Sequence, residues 1–167
     1  MQISKETVDK INWLMGEFFS ANACLDNMVY NLGSLDYVHM EDIVHTKVAH
    51  WAPDAADSLS DLLLEFDARP VRVPVPGYEK DYQGDVVAIF DDMLALMNEL
   101  INDTRATIDV AELNDDVEVK LELEDFLEDL VPYMAQARLW ARTAKRYKGN
   151  EIAFDIHFAQ FTKLEED

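Results

Sequence analysis

One cysteine, five glycines and five prolines are spread over 167 residues. With Cys24 alone, no intrachain disulfide and no thiolate cluster can form. The shortage of Gly and Pro excludes collagen-like and low-complexity chains and leaves long stretches fit for helix. Positive charge is also scarce: 14 Lys and Arg face 34 Asp and Glu, a formal charge of −20. Phosphate contacts need clustered Lys and Arg, so unassisted nucleic-acid binding is disfavoured, whereas cations and solubility are favoured. No uncharged apolar run reaches the roughly 20 residues of a membrane-spanning helix. Lys5 and Glu6 come early and no long apolar run follows, so no secretory signal opens the chain. These absences lead to the expectation of a soluble, cytoplasmic protein with no membrane and no nucleic-acid partner.

What is present is helical periodicity. Ser4 is placed to cap a first helix that runs to about Leu32 and ends at Gly33. Val8, Ile11, Met15, Phe18, Asn22, Leu25, Val29 and Leu32 follow each other at alternating spacings of three and four. That spacing is a packed helix–helix seam. Asn22 in its middle reads either as a buried amide, fixing register or pairing with another helix, or as a polar member of an interior site. After a tight Gly33–Asp36 connection, a second helix from Val38 to Phe66 returns antiparallel. Its apolar face carries Val48, Ala52, Ala55, Ala56, Leu59, Leu62, Leu63 and Phe66. Its opposite face gathers His50, Asp54, Asp57 and Asp61. Pro53 is expected to kink the helix or split it near Ala52.

Asp67 to Gly84 is of another kind, punctuated by Pro70, Pro74, Pro76 and Gly77. It reads as an extended crossover, with a short helical turn at Tyr78 to Tyr82. At about 3.1 Å per residue such a strap reaches on the order of 50 Å. The helices are about 40 Å long, so it can run the whole length of a bundle. Asp85 is placed to cap a third helix, Val86 to about Leu113, and an Asn114–Asp116 turn leads into a fourth, to about Lys148. The fourth is acidic at its start and basic at its end, which complements the helix dipole. Pro132 should bend it, and Gly149 and Asn150 stop it. In the tail, Ile152, Phe154, Ile156 and Phe158 alternate like a strand, while Phe154, Phe158 and Phe161 fit a helix. Either way these aromatics need cover, from the bundle or from a neighbouring subunit.

Hairpin, long crossover, hairpin is the all-α, ferritin-like four-helix bundle. Residues 1–149 form the bundle, and 150–167 a C-terminal extension packing on it or on a neighbour.

From Leu25 to Ala141 the chain resembles the Dps-type miniferritins of the ferritin-like superfamily. Tyr30-Asn31-Leu32-Gly33 is similar to the Trp-Asn-x-x-Gly that ends the family's first helix. Val38-His39 looks like its Leu-His. Asp57-Ser-Leu-Ser-Asp61 stands in place of its Asp-x-x-x-Glu, and Asp67-Ala-Arg-Pro-Val resembles its Gly-Gly-x-Pro-Val. The Leu127–Trp140 region is similar to its closing Leu-Glu-x-x-x-Trp helix. The resemblance implies a homo-oligomer built from dimers, up to a dodecamer, that oxidises and stores iron in stress response. It implies a metal site between two subunits, with Asp57 and Asp61 as ligands and His39, Asp26 and Asp42 as further candidates. This chain departs from the family at Val29 and Tyr30, where the family has His and Trp, and Asp26 and Asn27 fall at its other His-rich positions. The inward-facing pair of Glu-x-x-His motifs is absent; Asp42-Ile-Val-His45 is the near match. The competing expectation is a bundle without a working metal site, an assembly or interaction module whose aspartate stripe is an ordinary solvated face.

Overall fold

The computed structural model describes residues 2–165. Its elements are α1 (Lys5–Ser34), α2 (Val38–Val44), a π-helical turn (His45–Ala49), α3 (Trp51–Glu65), α4 (Val86–Leu113), α5 (Val117–Arg146), α6 (Glu151–His157) and a 3₁₀ turn (Phe158–Phe161). The chain is all-α, a ferritin-like four-helix bundle with a C-terminal extension. α1 packs on α2–α3 and on α4, and α4 packs on α5. The seam read from the first helix is the core: Ile11, Phe18, Leu25 and Leu32 are all 0% exposed. Burying each such side chain stabilises the fold by about 1.5–3 kcal/mol.

The strap spans the bundle along α1. Near its start, Asn12 donates to the Arg69 carbonyl (3.2 Å) and accepts from the Val71 amide (2.7 Å). Near its end, Asn27 and Asn31 both donate to the Lys80 carbonyl (3.0 Å each), and Asn31 accepts from the Tyr82 amide (3.0 Å). From Asn12 to Asn31 is about 28 Å of helix at 1.5 Å per residue. Each amide replaces a ladder partner that an extended segment outside a sheet lacks. One turn on from Asn12, Gly16 lets the strap touch the helix: a Cβ there would lie 2.5 Å from Val73 Cγ2. The short helical turn expected at Tyr78 to Tyr82 does not form; the segment stays extended up to a turn at Gln83–Gly84. The Lys80 carbonyl and the Tyr82 amide are committed to α1 instead.

The second helix breaks earlier than Pro53 suggests. His45–Ala49 widens into a π turn, with the His50 amide bonding the His45 carbonyl at 3.1 Å. Pro53 brings no N–H to the carbonyl of Ala49, four residues before it. The Asn22 amide donates to that carbonyl at 2.9 Å. The seam asparagine therefore does pair with another helix.

The helix ends also differ in detail. Gly33 lies inside α1, packed near Glu41, and the left-handed residue of the connection is Asp36 (φ 62°). Ser4 makes no side-chain cap; Asp116 supplies it from the start of α5, accepting from the Ser4 amide and the Thr7 hydroxyl. Asp85 caps α4 through the Ala88 amide (3.0 Å), as expected. Gly149 is left-handed (φ 85°) just past α5.

The tail is helical and closes on its own bundle. Phe154 and Phe158 are 0% exposed. Trp140 stacks on Phe158 (4.9 Å), and Phe90 meets both phenylalanines at 5.7–5.8 Å. Gln136 holds the last turn by donating to the Phe161 carbonyl (2.8 Å).

Candidate functional site

The aspartates of α3 point away from the core. Ala52, Ala56, Leu59 and Leu63 are all 0% exposed on one side of that helix, while Asp54, Asp57 and Asp61 are exposed on the other. Asp57 and Asp61 stand one turn apart, about 6 Å along the axis. Beside them, between α3 and α5, runs a groove of about 400 Å³. Asp54, Asp61 and Glu65 line it from α3, and Glu122, Asp125 and Asp129 from α5. Leu59, Leu62 and Phe126 form its floor, and among the described residues no Lys, Arg or His lines it. Six carboxylates without a resident counter-ion make a field that draws cations. Their oxygens are hard donors suited to iron, magnesium or calcium.

The other candidates lie elsewhere. His39, at the start of α2, holds Asp155 of α6 through Nδ1 at 2.9 Å. Asp155 is 6% exposed, and its second oxygen accepts from the Met40 amide at 2.9 Å. It thus caps α2 from the tail, a role that a lone acid in an aromatic segment could have signalled. Asp42 is exposed, and Asp26 is half-buried on α1. His39 and Asp57 are 18 positions apart, about 27 Å of helix. Within one chain the structure therefore brings together Asp57 and Asp61 but not His39, Asp26 or Asp42. Among the described residues, no three of His, Cys, Asp and Glu converge as a metal cluster would require.

Nor does the bundle interior offer one. Its core there is aromatic and closed: buried Phe18 meets buried Phe126 (5.3 Å) and Trp51 (5.9 Å), and towards the surface half-buried Trp51 lies flat on half-buried Tyr133 (3.9 Å). The near match Asp42–His45 does not face inward as a pair: Asp42 is exposed and His45 packs edge-on against His50 at 4.3 Å. The π turn makes that last contact, since it brings residues five apart onto one face. A second acidic group joins α1 and α4. Burial raises the Glu17 carboxyl above its usual range, Asp103 and Glu99 raise it further, and Lys10 opposes them. Burial, then Glu99, raises Asp103 in the same way.

No protein-family model matches the chain, and no curated protein matches it. Solved structures do. A humanized archaeal ferritin superposes with a TM-score of 0.88 at 12% identity, covering 99% of this chain and 100% of its own. Two structures of an open-pore ferritin from the hyperthermophilic archaeon Archaeoglobus fulgidus give 0.82 and 0.84 at 14% and 12% identity. They cover 98% of this chain, and 100% and 98% of theirs. At such identity the likeness is one of fold: over its described residues, this chain is folded as those ferritins are.

Proposed function

We propose that the chain is the subunit of a ferritin-fold homo-oligomer that binds ferrous iron on the carboxylate face of α3 and oxidises it between copies. Each iron gives up one electron to dioxygen or peroxide. Asp57 and Asp61 supply the carboxylates, and a second copy completes the coordination, with His39, Asp26 and Asp42 as the imidazole and carboxylate candidates. A twelve-subunit shell storing the ferric product is the miniferritin form of this reading. One observation carries it: the aspartate pair faces outward beside a groove of carboxylates, with no basic side chain among the described residues that line it. Among the described residues no helix is long and apolar enough to cross a membrane, which fits an assembly in water.

A second reading is favoured by the aromatic interior. A bundle whose interior is filled by Phe18 and Phe126 and covered by half-buried Trp51 and Tyr133 is packed as a scaffold, and its outward aspartates then serve solubility. Aerobic addition of Fe²⁺, followed by ferric absorbance in the near ultraviolet, separates the two. The iron reading expects oxidation well above the buffer rate, falling to that rate in Asp57→Ala/Asp61→Ala. A wild-type chain that oxidises no faster than buffer and retains no iron on gel filtration belongs to the second.

A further inference from the structure

α5 carries a second stripe, on the side turned away from the bundle. Glu124, Glu128, Val131, Ala135, Arg138 and Arg142 follow each other at spacings of four, three, four, three and four. That is the spacing of a helix–helix seam, yet all six residues are exposed, Val131 to 50%. The flanks of α5 are taken. On one side Lys145 reaches Asp91 of α4 at 3.4 Å, and on the other Glu122, Asp125 and Asp129 line the groove towards α3; Lys120, one turn before Glu124 on the line of the stripe, is drawn to Glu112 of α4 at 3.2 Å. The stripe lies between these flanks. Among the described residues Glu128, Arg138 and Arg142 make no ion pair, and Glu124 has only a 3.8 Å approach to Lys120, whose nearer partner is Glu112.

The order of charges is self-complementary. Glu124 and Glu128 stack as like charges one turn apart, and so do Arg138 and Arg142, which disfavours the helix by itself. Reversing the stripe and laying it on itself resolves both clashes. Val131 and Ala135 stand two residues either side of Tyr133, Glu128 and Arg138 five, and Glu124 and Arg142 nine. A two-fold axis at the level of Tyr133 places small apolar side chains at the centre and each glutamate opposite an arginine, every pair occurring twice, as isologous contacts require. We propose that the outward face of α5 docks a second copy of this chain, antiparallel, through Val131 and Ala135 flanked by Glu128–Arg138 and Glu124–Arg142 pairs. Charge order fixes both the direction and the register of the two helices. The inference uses no residue of the iron reading and stands or falls apart from it.

The test is site-specific cross-linking of the full chain. Val131→Cys/Ala135→Cys, exposed to oxidised glutathione, is expected to form interchain disulfides between position 131 of one copy and 135 of the other. The parental chain, with Cys24 alone, is the control. Adding Glu124→Arg/Glu128→Arg sets arginine against arginine and should slow cross-linking by at least about tenfold, the effect of losing charge complementarity. Adding Arg138→Glu/Arg142→Glu as well reverses every charge and should restore it. All these positions are exposed, and helical circular dichroism checks that each variant folds. Cross-linking no faster than in the parental chain, or insensitive to the charge swaps, overturns the proposal; a face kept for a different protein gives the first of these results.

Discussion

Asn22 and Pro53 act as a pair although they lie on different helices. The proline leaves the Ala49 carbonyl without the amide a regular helix would offer, and Asn22 fills that place at 2.9 Å. Leaving such a group unpaired costs about 1–3 kcal/mol. Asn22→Leu is therefore expected to lower stability by that amount in urea unfolding. In a Pro53→Ala background, where an amide returns, the same substitution should cost at least about 1 kcal/mol less. Equal costs in the two backgrounds would show that the pairing does not matter. Glu17 illustrates the opposite case, a charge the fold tolerates poorly. With its carboxyl held above the ordinary value of 4.5 by burial and by Asp103 and Glu99, the protonated form suits the folded state. The stability this group contributes is full below about pH 4.5 and is lost as the pH rises through its raised value. Glu17→Gln should thus raise stability at neutral pH and flatten its fall above pH 4.5; an unchanged pH profile would contradict this.

At the scale of elements, the strap decides the topology, and its seating depends on the small residue beneath it. Gly16→Ala would drive a methyl group against Val73, 2.5 Å from Cγ2. An overpacking loss of about 1–3 kcal/mol is expected, recovered in part by Val73→Ala; thermal unfolding of the single and double variants measures both. A Gly16→Ala chain as stable as the parent would mean the strap is free to shift. The strap's existence was legible in the sequence, because prolines at 70, 74 and 76 rule out a helix and its length exceeds any short turn. The side chains that hold it were not. Asn12, Asn27 and Asn31 bond to a backbone without periodicity, so only their shared stripe on α1 hints at them. The π turn was hidden for a related reason: the apolar period of the second helix runs unbroken past His45, and the proline pointed to a break several residues too late. For the tail, alternation and helical spacing fitted Phe154 and Phe158 equally well. Burial of both rings against Phe90 and Trp140 decided for helix, a choice made by tertiary packing and not by propensity.

For the molecule as a whole, 34 acidic residues against 14 basic ones need somewhere to go. The bundle sends most of them outward, with Asp155 buried against α2 and Glu17 and Asp103 half-buried where α1 meets α4. The outward direction of Asp57 and Asp61 followed from sequence periodicity, since eight apolar residues of the second helix left the aspartates only the far side. Which groups would complete their coordination could not follow, because His39 is engaged with Asp155 and a neighbouring chain leaves no periodic trace. The groove between α3 and α5 was equally out of reach, for it joins residues some sixty positions apart. The account rests on that outward carboxylate face meeting iron across a boundary between copies. Anomalous diffraction at the iron edge, from crystals of the chain soaked anaerobically in Fe²⁺, measures this most directly. The expected result is an iron peak within coordination distance of Asp57 and Asp61, with at least one donor atom from a second copy. Aspartates that face bulk solvent in every copy, with no iron beside them, would contradict it.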